Sequence, residues 1–306
     1  MIIQDPLYGE HEFREPVLIE LINSAPIQRL KNINQFGIPD KWYYVKNYSR
    51  FEHCVGTAIL LAKLGAPLKV QIAGLLHDAG HTAFSHVVDL IFSNSLAQDL
   101  NDRLYFQTIS QGEISQILNN HKISPETIKD IKDFPILKRS IPFVCADTLD
   151  YGMREMLIKE KHDLAEKTIK NITVHENKIV FTSRAVAREY ADNFLDSNKN
   201  HWADPESVTR YAIFAEILRI ALRENLITKQ DLLTKTDNDI IPILEQSNLP
   251  AIQERLHQLE QKKIDLISDK TKIRYCDPEF LENGKVCILS QVDQEFKEKI
   301  DNISKL

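Results

Sequence analysis

The sequence predicts a mainly α-helical protein with a small C-terminal appendage of helices and strands. Apolar residues recur at helical spacing in six segments of the first 225 residues. Strand patterns are short and occur late, and a chain of 306 residues can bury a large core. We therefore expect an α-helical body over residues 1–225 and a smaller module of helices and strands over residues 226–306.

Each predicted helix has a signal of its own. Ser24 and Pro26 are typical of a helix start, and the apolar pattern that begins at position 52 ends before Gly65. Residues 67–77 are apolar almost all round, which indicates a helix buried on several sides. Further helices are expected over 143–159, over 183–196, and from the Asp204-Pro205 cap to about Glu224.

Two hairpins are predicted in the second half of the chain. Ile172–Val174 and Lys178–Phe181 flank the turn residues His175-Glu176-Asn177. Lys272–Cys276 and Lys285–Leu289 flank a segment that contains proline and glycine. Only the second hairpin lies in the expected C-terminal module.

The composition argues against several classes of partner. The net charge is −6 and the isoelectric point is near 6.0, which disfavours a surface for nucleic acids or anionic membranes. No apolar run reaches the roughly 18 residues of a membrane span, and the N-terminal residues lack the basic segment of a signal peptide. The cysteines show no metal-binding spacing, so we expect a cytoplasmic protein in which four thiols are reduced and buried: Cys54, Cys145, Cys276 and Cys287.

The segment LLHDAGHTAFSH, residues 75–86, places several titratable side chains directly behind an apolar helix. His77 and Asp78 end that helix, and with His53 and Asp147 they offer two imidazoles and two carboxylates. This mixed set suits Mn, Fe, Zn, Co or Ni, and a carboxylate can also bridge to Mg. The alternative is an ordinary helix end, where the dipole favours His77 and Asp78 caps the next helix. An unpaired carboxylate behind an apolar run is costly, which favours the metal site.

His86 and Asp89 form a second candidate pair. They lie three residues apart, so their side chains can share one helix face. A carboxylate beside an imidazole selects its tautomer and prepares it for proton transfer, although a lone histidine is more often an ordinary surface or core group. His81 lies four residues after His77 and can face the same side, but Gly80 favours a break in the helix.

Five ordered motifs together resemble the HD-domain phosphohydrolases, and within them the branch of dNTP triphosphohydrolases. They are IQDPLYGEHEF, SAPIQRLKNINQFG, SRFEHCVGTAILLAKL, VQIAGLLHDAGHTAFSH and ADTLDYGMREM, and they span about residues 3–160. The resemblance implies an HD-domain helical fold. It also implies a divalent metal ion, which could be Mn, Fe, Mg, Zn, Co or Ni, held by His53, His77, Asp78 and Asp147.

The resemblance implies further roles around the metal. His81 and His86 would contact the substrate phosphates, Asp89 would belong to the acid–base machinery, and Arg50 would grip phosphate oxygens. Other residues would bind the sugar: Gln35 and Glu155 at its 3′-hydroxyl, Phe36 beside the 2′ position, and Tyr151 along the ring. His201 and Trp202 are stacking candidates for the base, although a tryptophan at a helix start more often packs.

The sequence departs from the family at several positions. Glu155 stands where an aspartate is expected, and Phe36 stands where a leucine crowds the 2′ position. The family places another histidine after the His86 segment, whereas Leu90 to Asn120 contains none. Thr148 stands where the animal SAM- and HD-domain enzymes of this dNTP triphosphohydrolase branch have a lysine that touches phosphate. Three explanations stay open for the missing histidine: His86 with Asp89 carries the proton, metal-activated water and leaving-group stabilisation suffice, or the chemistry is slower or different.

The resemblance implies hydrolysis of a dNTP to deoxynucleoside and triphosphate, through attack of water on the α-phosphate. The alternatives are a nucleotidase or phosphodiesterase of the same superfamily, or a non-catalytic protein that binds nucleotide or nucleic acid with a structural metal. The expected partners are a nucleotide substrate and further copies of the chain, because family enzymes often form oligomers. Arg29 and Lys31 are expected as exposed cations at such an interface.

Overall fold

The structure is a computed structural model, and it describes residues 1–92, 100–266 and 273–303. These residues are mainly α-helical with small sheets, which confirms the predicted fold class. The helices are α1 (Pro16–Asn23), α2 (Ala25–Arg29), α3 (Arg50–Lys63), α4 (Leu68–Leu76), α5 (Ser85–Phe92), α6 (Leu100–Ile109), α7 (Gly112–Asn120), α8 (Ala146–Ile158), α9 (His162–Lys170), α10 (Arg184–Ser197), α11 (Pro205–Arg223), α12 (Lys229–Thr234), α13 (Asp237–Glu245), α14 (Pro250–Glu260), α15 (Leu289–Val292) and α16 (Gln294–Ile303).

The described strands form two small sheets. The strands are β1 (Ile2–Asp5), β2 (Gly9–Glu12), β3 (Ile172–His175), β4 (Lys178–Phe181), β5 (Glu279–Glu282) and β6 (Lys285–Ile288). β1 and β2 form an antiparallel hairpin, and the other four strands follow the order β3-β4-β5-β6. β4 and β5 run parallel where Phe181 pairs with Phe280, so the C-terminal hairpin extends the sheet that β3 and β4 begin.

Two strand predictions were wrong. The structure has a hairpin, β1 and β2, at the N-terminus, where the sequence predicted no strand. Both strands are four residues long and mostly exposed, so their sequences lack the alternating apolar pattern that predicts a strand. The strand expected at Lys272–Cys276 lies further along. Lys272 is outside the described residues, residues 273–278 have no regular structure, and β5 covers Glu279–Glu282. The fully buried Phe280 anchors this strand against Phe181, which is a long-range contact that local propensity does not contain.

Helices α3, α4 and α8 lie at the centre of the molecule. α3 begins at a capping box in which Ser49 and Glu52 each bond to the other's backbone N–H, and it ends before Gly65 at a φ of 71°. Within α4, the side chains of Val70 and of residues 72–76 are buried. Because α3 packs against both α4 and α8, the C-terminal end of α4 lies beside the first turns of the other two helices.

A second apolar cluster surrounds α11. It joins α5, α13 and α14 to the segment around Trp42, whose ring lies 5.5 Å from that of Phe214. The helices that follow residue 225 are therefore packed on the helical body, and the boundary between residues 225 and 226 stays a prediction.

Two expectations about the chain as a whole concern membranes and thiols. In the described part of the chain, no helix has the length and apolar character that crossing a bilayer requires. All four cysteines are free, and three of them are buried as expected, while Cys287 is half-buried.

Candidate metal centre and active site

Two imidazoles from different helices meet at the centre of the molecule. His53 lies on α3, and His77 follows the last residue of α4. Their Nε2 atoms are 3.1 Å apart, and both side chains are buried. The packing of α3 on α4 therefore brings together two histidines that are 24 residues apart in the sequence.

Two carboxylates complete the cluster. Asp147 Oδ1, from the first turn of α8, lies 3.2 Å from His53 Nε2 and 3.7 Å from His77 Nε2. Asp78 contributes Oδ1 at 3.6 Å from His77 Nε2 and Oδ2 at 3.9 Å from His53 Nε2. The ligand atoms of His53, His77 and Asp147 form a compact group that could hold a metal ion, and Asp78 borders this group.

The chemistry of the donor atoms fits a divalent cation. His77 Nδ1 lies 2.7 Å from the carbonyl oxygen of Gly74, which can only accept, so Nδ1 carries the proton and neutral Nε2 presents a lone pair. His53 Nδ1 lies 2.7 Å from Asp150 Oδ1, which orients its ring in the same way. When both Nε2 atoms are unprotonated, their lone pairs repel each other at this separation unless positive charge lies between them. The cluster can therefore bind a divalent metal ion, whose identity the donor set leaves open.

The electrostatics of the cluster favour positive charge at its centre. Burial alone would lower the pKa of His53, but its hydrogen bonds to Asp147 and Asp150 outweigh burial and raise this pKa to about 9. Burial would raise the pKa of the Asp147 carboxyl, yet Lys138 and the two imidazoles hold it well below its usual range. The carboxylates are thus ionised at neutral pH and attract a cation.

Arg50 connects the metal cluster to two neighbouring loops. Its guanidinium is buried, forms an ion pair with Asp78, donates from Nε to Ser85 Oγ at 2.7 Å, and donates from Nη2 to the Gln35 carbonyl oxygen at 3.1 Å. A guanidinium has five N–H groups, so these three bonds leave two N–H groups for a substrate. Arg50 therefore lies next to the candidate metal cluster, and its contact with phosphate stays a prediction.

His81, His86 and Asp89 lie next to the metal cluster. His81 Nε2 is 3.4 Å from Asp78 Oδ1, and its ring is 5.4 Å from that of His86. His86 Nδ1 is 3.0 Å from Asp89 Oδ2, so the predicted pair shares one face of α5. Burial and the charge of Arg50 lower the pKa of His81 to about 3, and burial also lowers the pKa of His86, so both rings are neutral at pH 7. Their catalytic roles stay predictions.

A region rich in aromatic rings lies beside the metal cluster. The buried His201, in a π-helical turn over Asn198–Trp202, packs its ring 4.5 Å from that of Phe36 and bonds through Nδ1 to Glu155 Oε1 at 2.7 Å. Three buried polar atoms of this region have no hydrogen-bond partner among the residues that the structure describes: Gln35 Oε1, Glu155 Oε2 and His201 Nε2. Unsatisfied buried polar atoms are rare in native proteins, and a ligand is one explanation for them.

Tyr151 and Trp202 border this region. The ring of Tyr151 is half-buried, 6.4 Å from that of His53 and 5.4 Å from that of Trp202. Trp202 also packs 5.1 Å from Phe194, which agrees with the packing alternative for this side chain. The structure thus places Arg50 beside Asp78 and the other predicted substrate residues in or next to the aromatic region: Gln35, Phe36, Tyr151 and Glu155. The roles of all five stay predictions.

Sequence reasoning missed several groups. Asp150 lies one helical turn after Asp147, so the spacing in ADTLDYG could have indicated it as the partner of His53. Lys138 Nζ lies 2.6 Å from Asp147 Oδ2, and no pattern in the sequence marks it. Thr148 caps α8 with Cys145, so its hydroxyl is used within the helix end.

Arg29 needs a correction. It was expected to be an exposed cation, but its guanidinium donates to the carbonyl oxygens of Lys235 and His81 and lies partly buried. Burial lowers its pKa to about 10. The contact arises because α12 and α13 pack over this part of the chain, which the local sequence does not reveal. Lys31 is exposed as expected, and its Nζ lies 4.7 Å from the ring of Phe51.

Comparison with known proteins agrees with this geometry. The family profile described as HD domain matches residues 50–197. An uncharacterized protein of Bacillus subtilis, YdhJ, is 34% identical over 97% of this chain and 94% of its own length. The metal-dependent phosphohydrolase cns2 of Cordyceps militaris is 27% identical over 93% of this chain and 86% of its own. The deoxynucleoside triphosphate triphosphohydrolase SAMHD1 of Bos taurus is 38% identical over 29% of this chain and 17% of its own.

The helical fold and the buried cluster of imidazoles and carboxylates define a metal-dependent hydrolase centre. The profile match and the similarity along nearly the whole chain identify the superfamily. The chain belongs to the HD domain superfamily of metal-dependent phosphohydrolases, which the sequence motifs also indicated.

Proposed function

We propose that the protein hydrolyses deoxynucleoside triphosphates to deoxynucleoside and inorganic triphosphate. The observation that carries this proposal is the position of the three unpartnered polar atoms of Gln35, Glu155 and His201 beside the cluster of His53 and His77. One side of the site offers groups for phosphate, and the other offers aromatic rings and polar atoms for a nucleoside. The partial similarity to SAMHD1 from Bos taurus and Mus musculus supports this substrate class.

The metal ligands in this proposal are His53, His77, Asp78 and Asp147. A divalent cation bound there supplies Lewis-acid polarisation of a phosphate oxygen and lowers the pKa of water. Asp150 and the Gly74 carbonyl oxygen hold the two imidazoles in the tautomers that this binding requires.

The chain's own residues perform the remaining tasks. Arg50 directs its two free N–H groups, and Lys138 its ammonium, at the developing charge on the phosphates. His86, oriented by Asp89, is the group that moves a proton at Nε2. Neutral His81 has one N–H group, which donates a hydrogen bond to a phosphate oxygen.

On the nucleoside side, Glu155 Oε2 accepts the single proton of the 3′-hydroxyl, and the side-chain amide of Gln35 contacts the oxygen of the same hydroxyl. Phe36 packs against His201, so the two rings limit the space beside the sugar. His201 Nε2 is the remaining polar atom for the base or sugar. Tyr151 closes the sugar side next to His53.

A second candidate function is hydrolysis of a smaller nucleotide, a monophosphate or a cyclic phosphodiester, by the same centre. Thr148 favours it, because its hydroxyl is used in capping α8 and contributes no charge toward a triphosphate. The similarity to the metal-dependent phosphohydrolase cns2, whose name states no substrate, agrees with either candidate.

The test is turnover of defined nucleotides. Purified protein loaded with Mn²⁺ is incubated with each dNTP, each NTP and the corresponding monophosphates and cyclic phosphates, and the products are separated by ion-exchange chromatography. We expect inorganic triphosphate from dNTPs alone. Release of orthophosphate from a monophosphate, with no triphosphate from any dNTP, would select the second candidate.

Two variants make the test specific. Asp78→Ala should abolish turnover. If the protein only binds nucleotide, the wild type itself hydrolyses no nucleotide, and Asp78→Ala still binds nucleotide. Glu155→Gln keeps the metal cluster and should raise KM for the dNTP while leaving the affinity for inorganic tripolyphosphate unchanged. An unchanged KM would remove Glu155 from the nucleoside site.

A further inference from the structure

Asp237 is a buried carboxylate that lies far from the active-site motifs in sequence. It is the first residue of α13, and it is 1% exposed. Its Oδ1 accepts from the Phe84 backbone N–H at 2.7 Å, and its Oδ2 accepts from the Asn34 backbone N–H at 2.9 Å. Hydrogen bonds from N–H groups to an ionised carboxylate are stronger than those between neutral groups. Asp237 therefore links two separate loops, one at Asn34 and one at Phe84.

The two loops meet where Asp237 holds them. A Cβ atom at Gly37, whose φ is 76°, would overlap the carbonyl oxygen of Phe84, so only glycine permits this approach. Phe84 and Ser85 adopt left-handed φ values of 57° and 38°. Residues other than glycine rarely adopt this conformation, and it persists where surrounding contacts impose it. The bond from the Phe84 N–H to Asp237 is one such contact.

The joined loops determine where the phosphate-binding groups point. Ser85 Oγ donates to the Asn34 carbonyl oxygen at 3.1 Å and accepts from Arg50 Nε at 2.7 Å. Arg50 Nη2 donates to the carbonyl oxygen of Gln35 in the first loop. The guanidinium is therefore anchored to both loops at once, and His86 follows directly after the second.

Further hydrogen bonds hold the segment before α13 against the turn that precedes His86. The Ala83 N–H donates to the Leu232 carbonyl oxygen at 2.8 Å, and Arg29 bridges the carbonyl oxygens of Lys235 and His81. The segment from Leu232 to Asp237 thus lies directly behind the turn that leads to His86.

We infer that Asp237 is a positioning residue, whose carboxylate holds the Asn34 and Phe84 loops together so that Arg50 and His86 face the substrate phosphates. The inference rests on the proposed function only for the identity of those phosphates. Asp237 does not touch the metal ligands, so its loss should weaken phosphate binding and leave the metal content intact.

The experiment compares Asp237→Asn with Asp239→Asn. Asp239 lies two residues along the same helix, is exposed, and caps α13 through Thr236, so its variant reports the effect of weakening the helix start alone. Binding of inorganic tripolyphosphate to the Mn²⁺-loaded proteins is measured by calorimetry, together with Mn²⁺ content and the kcat and KM for dNTPs. We expect at least tenfold weaker binding in Asp237→Asn with Mn²⁺ content unchanged, and less than a twofold change in Asp239→Asn.

The outcomes separate the inference from the proposed function. Equal tripolyphosphate affinity in the two variants, or loss of Mn²⁺ from Asp237→Asn, overturns the positioning role. If Asp237→Asn does not fold, Asp237→Glu decides: the longer side chain cannot keep both bonds without moving the loops, so wild-type affinity and kcat/KM would overturn the inference. A wild type that binds tripolyphosphate but hydrolyses no dNTP ends the proposed function and leaves this comparison valid.

Discussion

At the scale of single residues, the position of the metal depends on the groups that orient its ligands. The His53 ring contacts two carboxylates, Asp147 at Nε2 and Asp150 at Nδ1. Asp150 is itself held by Arg154 and by the hydroxyl of Tyr8, which donates to Oδ2 at 2.9 Å. The ring of His53 is thus fixed by a buried network that extends to the N-terminal segment.

Asp150→Asn tests the orienting carboxylate. The amide no longer favours the Nδ1-protonated tautomer of His53, so Mn²⁺ affinity should fall by about 10- to 100-fold. Calorimetric titration of the metal-free protein measures it. Tyr8→Phe is the matched control, since it removes another hydrogen bond of Asp150 without touching His53; its metal affinity should stay within about twofold of wild type, at a stability loss of about 1 kcal/mol. Equal affinity in all three proteins would contradict the role of Asp150.

At the scale of elements, the close approach of α3 and α8 is set by Gly56. A Cβ atom at this position would overlap the side chains of Arg154 and Asp150. The absence of a side chain on α3 therefore makes room for the ion pair on α8, and through Asp150 it affects His53.

Gly56→Ala should destabilise the protein and weaken metal binding together. Overpacking costs about 1–3 kcal/mol, which exceeds the helix propensity that alanine gains over glycine. Gly152→Ala on α8 is the control: its Cβ meets the Tyr190 hydroxyl at 2.7 Å instead, so stability should fall without loss of metal affinity. Urea unfolding and Mn²⁺ titration measure the two effects. Wild-type metal affinity in a destabilised Gly56→Ala protein would show that the ion pair can move without disturbing His53.

The docking of α13 should make stability depend on pH. Burial raises the pKa of Asp237 to about 7, against the opposing effect of the bonds from Asn34 and Phe84. The unfolded carboxyl titrates near 3.9, so between about pH 4 and 7 the folded state binds more protons than the unfolded state. The contribution of Asp237 to stability is therefore largest at the acid end and is lost as the pH rises toward 7, by up to about 1.4 kcal/mol per pH unit.

Asp237→Asn should remove this slope. Urea unfolding of both proteins at pH 5, 6, 7 and 8 gives the difference in the free energy of unfolding, which should change with pH below 7 and become constant above it. All other titrating groups are common to the two proteins and cancel in the difference. A difference that is the same at every pH would show that Asp237 has an ordinary pKa.

At the scale of the whole molecule, the candidate metal ligands come from α3, the end of α4 and the start of α8, so metal binding there requires these elements to be assembled. A ligand that binds only the folded state stabilises it, by about 2.7 kcal/mol at a hundredfold excess over Kd. Binding of the proposed metal should therefore also increase the free energy of unfolding.

Addition of Mn²⁺ to the metal-free protein should raise Tm by several degrees, and EDTA should reverse the change. Asp147→Ala should remove the response, since it deletes the carboxylate whose Oδ1 lies 3.2 Å from His53 Nε2, the nitrogen that faces His77. Differential scanning calorimetry measures the shift. The expected homo-oligomer stays a prediction, for which light scattering with and without nucleotide is the direct measurement.

Much of the site could be predicted from sequence because its ligands occur in short motifs. His77 and Asp78 follow an apolar helix, and the i, i+3 spacing of His86 and Asp89 predicts the contact that the structure shows. Lys138 and Asp237 could not be predicted. Each contacts the site through a loop or a helix end, where no periodic pattern exists to mark it.

By itself, the sequence determined the helical class, the main helices of the body and the identity of the candidate metal ligands. These depend on the periodicity of apolar residues and on local spacing, which any segment carries within itself. Only the tertiary structure decided the tautomers imposed by Asp150 and Gly74, the burial of Arg29, the parallel pairing of β4 with β5 and the joining of two loops by Asp237. Each of these is a contact between residues that helix packing brings together, and the free energy of such a contact belongs to neither segment alone.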